Sequence, residues 1–414
     1  MRSLKGYLAE AAGKNTHMTH LEDLVLDGGV KGARQAINAL RSLRDMLSGS
    51  AKSSTDVTVK WDGAPAVFAG EDPTTGEFFV AKKGVFNKNP MIYKSHADID
   101  ADTSGDLSKK LKMAFDNLKG VGIKGVIQGD FMYDKSDLGS ETIDGVKYTT
   151  FHPNTIVYAV PKGSDMEKEI SKAEIGIVWH TVYTGPTFDT MKAQFGKSIA
   201  SKLKPTSKVW SVDATLPDLS GTATMTAKET AAVTAHLSAA GKIFKEISGN
   251  VLKEIEQNKE LNLVINTYNN TKVRANERIT NTEAHTKGLI DFVNLRYAKQ
   301  IDKLKSVKGK QKKETQRDEL LKFFDKKNIK TLKKVFDLQN SVVEAKLIII
   351  NKLNSLSNIN TFVKTSSGFK VTNPEGFVAI DRMEGGAVKL VDRLEFSTNN
   401  FSKDIIKGWD SPSR

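Results

Sequence analysis

Cysteine is absent from this 414-residue sequence, and proline occurs only ten times. Without cysteine the chain can form no disulfide bond, no thiolate nucleophile and no cysteine-containing zinc site. The sequence also lacks an uncharged apolar run of about 18 residues, so no transmembrane helix is expected. No basic leader precedes an apolar stretch at its N-terminus, so no secretory signal is expected. These absences favour a cytoplasmic protein, or one of the host cytoplasm if the chain is viral.

Negative charge is the scarcer of the two signs. The chain has 62 Lys and Arg against 49 Asp and Glu, a net charge of +13. Since each basic side chain on a phosphate releases a condensed counterion, this excess favours a nucleic-acid partner. A charge that serves only solubility is the alternative. The excess is concentrated in residues 301–340, where thirteen basic residues face six acidic ones.

The pattern of the chain changes twice. An amphipathic helix is predicted over 33–47, and short runs rich in β-branched and aromatic residues follow over 57–220. These runs are VTVKW, AVFAG, FFVAKKG, GVIQGDFMY, TIVYAV and IGIVWHTVY. After Thr361 similar runs return as FKV, EGFVAI and AVKLVDRLEF. The sequence therefore predicts an α+β fold whose sheet domain comprises 57–220 and 360–414, preceded by an N-terminal helical segment, 1–56.

Proline is missing between Pro217 and Pro374. Because proline interrupts helices, this gap, with its abundant Lys, Glu, Leu and Asn, predicts helices over about 225–357. We assign 221–359 to a basic, all-helical insertion domain. An apolar stripe formed by Leu332, Val335, Phe336, Val342, Val343 and Leu347 would face its core. The lysines expected to face nucleic acid are Lys326, Lys327, Lys330, Lys333 and Lys334.

The most informative motif is Lys60-Trp61-Asp62-Gly63, which completes the run VTVK. A lysine amine is nucleophilic only when neutral, so it needs burial or a neighbouring cation that lowers its pKa. A strand end before an Asp-Gly turn can hold such a side chain in place. The same four residues also occur in ordinary β-turns, so the order of the other motifs matters.

Further short motifs follow in a fixed order: Lys82-Lys83-Gly84, Gly129-Asp130-Phe131, Ile177-Val178-Trp179-His180, Glu375-Gly376-Phe377-Val378 and Val388-Lys389-Leu390. Over 57–185 and 370–395 this succession resembles the covalent nucleotidyltransferase superfamily of ATP-dependent DNA ligases, RNA ligases and mRNA-capping enzymes. The best matches are K-x-D-G at Lys60 and E-G-x-V at Glu375. The resemblance implies a nucleotidyltransferase (adenylation) domain of antiparallel sheets flanked by helices.

The resemblance also implies roles for the matching residues. Lys60 would attack the α-phosphate of ATP and carry AMP, and Lys389 would stabilise charge on that phosphate. Glu375 and Asp130 would bind Mg²⁺ or Mn²⁺ through oxygen. The other implied nucleotide contacts are Asp62 and Gly63, Lys82 or Lys83 for the ribose or phosphates, and Trp179, with Tyr158 as its rival, for adenine.

Three positions depart from the family pattern. Pro65 stands near the place where many relatives carry arginine, and His180 stands where an aspartate often follows the aromatic residue. Val391 holds the second position of the closing K-x-K, for which Arg393 is a substitute to consider. These differences affect the fine contacts of the implied pocket but leave its nucleophile and metal carboxylate in place.

The resemblance favours a monomeric, phage-type, ATP-dependent polynucleotide ligase, as in DNA repair. It would transfer AMP from Lys60 to a 5′-phosphate end and seal that end to a 3′-hydroxyl at nicks in duplex DNA or DNA/RNA hybrids. About 20 residues follow Glu395, so no C-terminal OB-fold is expected. The alternatives are an RNA ligase, a GTP-dependent capping guanylyltransferase and a non-catalytic nucleic-acid-binding protein.

Overall fold

The computed structural model describes residues 18–49, 55–216, 223–356, 359–381 and 387–408. Within these residues the chain combines α-helices with largely antiparallel sheets, which confirms the predicted α+β class. Part of the predicted N-terminal helical segment lies outside the described residues, because 1–17 and 50–54 are not among them. None of the described helices is both long enough and apolar enough to cross a bilayer.

Helices form most of residues 24–47 and 227–354. In chain order they are α1 (Leu24–Asp27), α2 (Gly29–Leu47), α3 (His96–Asp102), α4 (Gly105–Leu118), α5 (Asp165–Lys172), α6 (Ala227–Glu246), α7 (Gly249–Gln257), α8 (Lys259–Arg274), α9 (Thr282–Asp302), α10 (Val307–Leu321), α11 (Lys326–Asn354) and α12 (Arg393–Phe401). A 3-10 helix, Leu21–Asp23, precedes α1. In the described residues no strand interrupts the succession from α6 to α11.

The strands fall on either side of that helical succession. They are β1 (Thr55–Lys60), β2 (Ala66–Glu71), β3 (Phe78–Ala81), β4 (Val126–Asp134), β5 (Gly139–Ile143), β6 (Val146–Phe151), β7 (Ile156–Pro161), β8 (Ile175–Thr184), β9 (Lys192–Phe195), β10 (Val209–Asp213), β11 (Asn360–Thr365), β12 (Gly368–Val371), β13 (Gly376–Asp381), β14 (Ala387–Leu390) and β15 (Ile405–Ile406). The runs predicted as strands over 57–183 correspond to β1, β2, β3, β4, β7 and β8.

Three sheets are built from these strands. The first has the order β1-β13-β14 and is antiparallel. The second has the order β10-β8-β4-β2-β3, with β9 also on β8, and its β8–β10 pair is parallel. The third has the order β12-β11-β7-β6-β5, with β15 also on β11. Each sheet pairs strands that are not consecutive in the chain: β1 with β13 in the first, β2 with β4 in the second and β7 with β11 in the third. Chain order alone therefore does not give the arrangement of the strands.

Burial explains the nearly continuous run of apolar residues in the central strand β8. β8 lies between β4 and β10, and its residues from Ile175 to Trp179 are all buried. A strand covered on both faces reads as a nearly continuous apolar run, as IGIVW does. In contrast, the β5–β6 hairpin is exposed along most of β5 and at the start of β6, and it turns through Asp144 and Gly145, both with positive φ. Asp-Gly is the favoured pair for such a turn.

One core joins most of the helices to the first sheet. It contains Leu40 of α2 and Val335 of α11 together with Phe377 of β13 and Leu390 of β14. The helices from α6 to α11 therefore contribute to the same core as the sheet that carries Lys60. A second core lies between the second sheet and α4, which contributes Leu111 and Phe115.

Helix α11 matches its predicted apolar stripe. Asp325 caps its first turn by accepting a hydrogen bond from the Asn328 N–H. The predicted stripe residues that are buried are Leu332, Val335, Phe336 and Val342, while Val343 and Leu347 are half-buried.

The prediction of β structure over 387–396 is wrong in its second half. The strand β14 ends at Leu390, and α12 begins at Arg393. The carboxylate of Asp392 accepts a hydrogen bond from the Leu394 N–H at 3.0 Å, which caps the helix. A helix start of this kind was present in the sequence as Asp392 before three good helix formers, Arg393, Leu394 and Glu395.

Candidate active site

Lys60 and Glu375 meet because β1 pairs with β13. Lys60 is the last residue of β1, and its backbone is in register with Gly376, the first residue of β13. Glu375 immediately precedes that glycine. The Lys60 Nζ atom forms an ion pair with Oε1 of Glu375, and the two side chains are 26% and 11% exposed. Two residues from opposite parts of the chain thus form one partly accessible charged pair.

Gly376 is sterically required beside this pair. Its φ is +146°, a conformation that L-residues rarely adopt. A Cβ atom at this position would lie 2.6 Å from the carbonyl oxygen of Leu390 and 2.7 Å from Cγ2 of Val391. A larger residue would push β13 away from β14. The Glu-Gly order of the motif therefore has a local structural cause.

Three carboxylates determine the charge of Lys60. Burial lowers its pKa, but the Glu375 carboxylate, a hydrogen bond to it, and the charges of Asp130 and Asp62 together raise the pKa above its ordinary value. Burial raises the pKa of Glu375 to about 7 although Lys60 opposes the shift, and Asp62 and Asp130 add repulsion. The amine is therefore protonated in this arrangement, while Glu375 titrates near neutral pH.

Lys389 supplies a second cation to the same region. It lies on β14, in register with Val378 of β13, and its backbone N–H donates to the Thr19 carbonyl at 3.0 Å. Burial lowers the pKa of Lys389, the charges of Lys60 and Lys83 lower it further, and Glu375 opposes them. Lys389 thus lies within electrostatic range of the pair, and Lys83 lies within range of Lys389.

Asp62 anchors the turn after β1. Its side chain is buried and accepts hydrogen bonds from the Asn154 side chain at 2.8 Å and from the backbone N–H groups of Thr155 and Ile156 at 2.8 and 2.9 Å. Its own N–H donates to the Tyr158 hydroxyl at 2.7 Å. Burial raises the pKa of Asp62 against these bonds. Both of its carboxylate oxygens are already engaged with the protein, so its role here is to fix the turn.

Gly63 allows that turn to lie against β4. A Cβ on Gly63 would come within 2.6 Å of the Asp130 Cβ and 2.7 Å of the Met132 sulfur. The side chain of Asp130 is 21% exposed, and the Nε2 atom of His180 lies 3.8 Å from its Oδ1. The close approach brings Asp130 to the Lys60 turn, and His180 lies beside it.

Trp179, the residue predicted to stack on adenine, lies in the interior of the protein. Trp179 is fully buried, in the core between the second sheet and α4. Its rival Tyr158 is 2% exposed and stacks on Trp61, with ring centroids 5.0 Å apart. Alternation along β8 turns position 179 toward α4, because Val178 faces the other core. Trp61, only partly buried, is the aromatic residue of the turn itself.

The lysines predicted to contact the nucleotide or the nucleic acid differ in whether a carboxylate of the protein already pairs with them. Lys82 forms an ion pair with Asp102 at 2.9 Å, so it is held toward α3, whereas Lys83 acts on Lys389. On α11, Lys333 pairs with Asp337 and Lys334 with Glu246, each at 2.8 Å. The three remaining lysines of that set are exposed: Lys326, Lys327 and Lys330.

No three His, Asp or Glu side chains are grouped as a metal site among the described residues. The predicted metal carboxylates, Glu375 and Asp130, both act on Lys60, so they face one region. A magnesium ion commonly takes only one or two carboxylates from the protein and the rest of its ligands from phosphates and water. The donor set is compatible with that kind of site.

A family model matches residues 15–405 of the chain, nearly its whole length. The chain belongs to DUF6267, a family of unknown function. The comparisons with curated proteins and with solved structures gave no match. The DUF6267 match thus covers the sheets, the helical region and every residue of the candidate site.

Sequence reasoning missed the residue that holds the Glu375 turn. In this DUF6267 chain, Glu395 of α12 accepts hydrogen bonds from the Thr372 hydroxyl at 3.0 Å, the Asn373 N–H at 3.1 Å and the Asn373 side chain at 2.8 Å. Asn400 of the same helix lies 3.4 Å from the Thr155 hydroxyl, next to the Asp62 anchor. The helix start at Asp392 was the only sequence signal for this support.

Proposed function

We propose that this chain is a covalent nucleotidyltransferase of the ATP-dependent polynucleotide ligase type, with Lys60 as its nucleophile. The observation that carries the proposal is the ion pair between Lys60 and Glu375. It joins the two motifs that best match the superfamily, and Lys389 and Asp130 act on the same pair. Perturbed titratable groups gathered in this way are typical of active sites.

In the first step, the Lys60 ammonium gives up a proton, and the resulting neutral amine attacks the α-phosphorus of ATP. An N–P bond forms, the P–O bond to pyrophosphate breaks, and the nitrogen releases its second proton to solvent. Glu375 is in contact with the amine and has a pKa raised to about 7, so it is suited to accept the first of these protons. The charge of Lys389 would stabilise the phosphate oxygens as negative charge develops on them.

Magnesium, which the superfamily resemblance implies, would be held by Asp130 and Glu375. When bound, a divalent cation neutralises phosphate charge and orients the leaving pyrophosphate. The chain's own residues would have a separate task. Asp62, fixed by three hydrogen bonds, keeps the Lys60 turn in place against the start of β7, and Glu395 keeps the Glu375 turn in place.

The second and third steps concern a polynucleotide. AMP would pass from Lys60 to a 5′-phosphate, and a 3′-hydroxyl would then displace AMP and form the phosphodiester bond. The net charge of +13 supports a polyanionic substrate. We propose nicks in duplex DNA or DNA/RNA hybrids as the preferred ends, with RNA ends as the second candidate.

A panel of nicked DNA, nicked hybrid and single-stranded RNA, assayed with ATP and Mg²⁺, tests this proposal. Sealing of at least one substrate is expected from the parent protein and not from Lys60→Arg, which keeps the charge beside Glu375 but cannot serve as the same nucleophile. Lys124→Ala, at a side chain that is 87% exposed, is the control and should seal normally. Sealing by Lys60→Arg at the parent rate would overturn the assignment. In a parallel incubation with labelled ATP or labelled GTP, labelling by GTP alone would favour a capping enzyme.

A further inference from the structure

Six lysines lie close together in the sequence where α9 ends and α10 begins. No Asp or Glu interrupts them between Asp302 and Glu314. We name this set the lysine corner, and its members are Lys303, Lys305, Lys308, Lys310, Lys312 and Lys313. Four of them, Lys303, Lys305, Lys308 and Lys312, are exposed, and the other two are half-exposed.

Within the part of the chain that the structure describes, no carboxylate lies within ion-pair distance of any of the six lysines. Lysines elsewhere on or beside the same helices do have such partners. Lys287 of α9 pairs with Glu283 at 2.9 Å, and Lys322, just after α10, pairs with Glu319 at 2.6 Å. In the described residues, carboxylate partners are therefore present on both sides of the lysine corner but not at it, and the corner carries a positive charge.

Packing does not explain these lysines either. In α10 only Leu320 is buried, at the far end of the helix. Lys313 lies over the ring of Tyr297, 5.7 Å from its centroid, which fixes one member of the set at the contact with α9. Lys308 and Lys312 are four residues apart in α10, a spacing at which like charges repel. A polyanion on this surface would relieve that repulsion.

We propose that the lysine corner binds the phosphate backbone of the polynucleotide whose ends the enzyme joins. This inference rests on the proposed function and moves the main phosphate contact from α11, where Lys333 and Lys334 are already paired, to the α9–α10 corner. Lysine offers a point charge without the fork geometry that reads bases. The contact is therefore independent of sequence and strongly dependent on salt.

The test replaces Lys303, Lys305, Lys308 and Lys312 together by Gln in the full chain. The charge-matched control replaces four exposed lysines that have carboxylate partners, Lys135, Lys168, Lys287 and Lys322. The affinity of each protein for a nicked DNA duplex is measured at several salt concentrations. At ~0.9 per phosphate contact, the slope of log K against log salt should fall by about 3 to 4 in the corner variant. The control should lose at most a small part of the slope.

An equal loss of slope in both variants would overturn the inference, as would an unchanged slope in the corner variant. Polyglutamate is also tested as a competitor of DNA for each protein. If the corner variant loses affinity for polyglutamate to the same extent as for DNA, the surface binds polyanions in general, and the assignment to polynucleotide fails. Self-adenylation is measured in parallel and should be equal in all three proteins. If adenylation is absent from all of them while the slope still falls, the lysine corner stands and the ligase proposal fails.

Discussion

The charge state of Glu375 gives the sharpest physical prediction. Its carboxyl group has a pKa raised from 4.5 to about 7, mainly by burial. A raised acid pKa means that the folded protein holds this proton over a pH range in which the unfolded chain has lost it. The contribution of the group to stability is therefore fully present below pH 4.5 and is lost as pH rises through 7. At ~1.36 kcal/mol per pKa unit, the loss amounts to about 3 kcal/mol.

Glu375→Gln removes this titration and keeps the shape of the protonated side chain. The free energy of unfolding of the variant minus that of the parent should therefore rise by about 3 kcal/mol between pH 4.5 and pH 8, because only the parent loses stability. Urea unfolding at several pH values measures it, with Glu174→Gln, an exposed carboxylate away from the site, as the control for loss of one charge. If this difference does not change with pH, or falls as pH rises, the reasoning is refuted, because the attraction of Glu375 to Lys60 would then match or outweigh the effect of burial.

Two further changes test the support of the site. Gly376→Ala places a Cβ 2.6 Å from the Leu390 carbonyl oxygen at a φ of +146°, so thermal unfolding should show a loss of about 3 kcal/mol or more; an unchanged melting temperature would contradict the steric argument. The buried amine of Lys346 on α11 donates to the Val391 carbonyl just after β14 and to both oxygens of buried Glu22, at 2.8 Å each. Lys346→Met leaves the Glu22 carboxylate without this partner and should cost about 3–5 kcal/mol in urea unfolding at pH 7. A cost below about 1 kcal/mol would show that the pair is dispensable.

Local patterns in the sequence were sufficient for elements with strong periodicity or a clear boundary. The helix predicted over 33–47 lies within α2, and the gap between Pro217 and Pro374 contains α6 to α11. The β5–β6 hairpin was missed although Asp144-Gly145 signals its turn, because neither of its strands, GSETI and VKYTTF, contains a continuous apolar run. Sheet order also escaped prediction, since β1 pairs with β13 across most of the chain.

The sequence predicted the candidate site only at the residues that the matched motifs contain. The resemblance selected Lys60 and Glu375, and strand pairing brings them together. It could not show that Trp179 would be buried, because the face on which a strand residue lies depends on what packs against the sheet. Nor could it show that Lys334 pairs with Glu246, since that contact depends on how α11 packs beside α6.

The central claim is that the amine of Lys60 becomes bonded to phosphorus, and peptide mapping by mass spectrometry tests it most directly. The protein is incubated with ATP and Mg²⁺, digested under alkaline conditions that preserve a phosphoramidate, and mapped. We predict an AMP adduct on the peptide that contains Lys60, absent from Lys60→Arg and strongly reduced in Glu375→Gln. An adduct on another residue, or none in protein shown to be folded, would contradict the account.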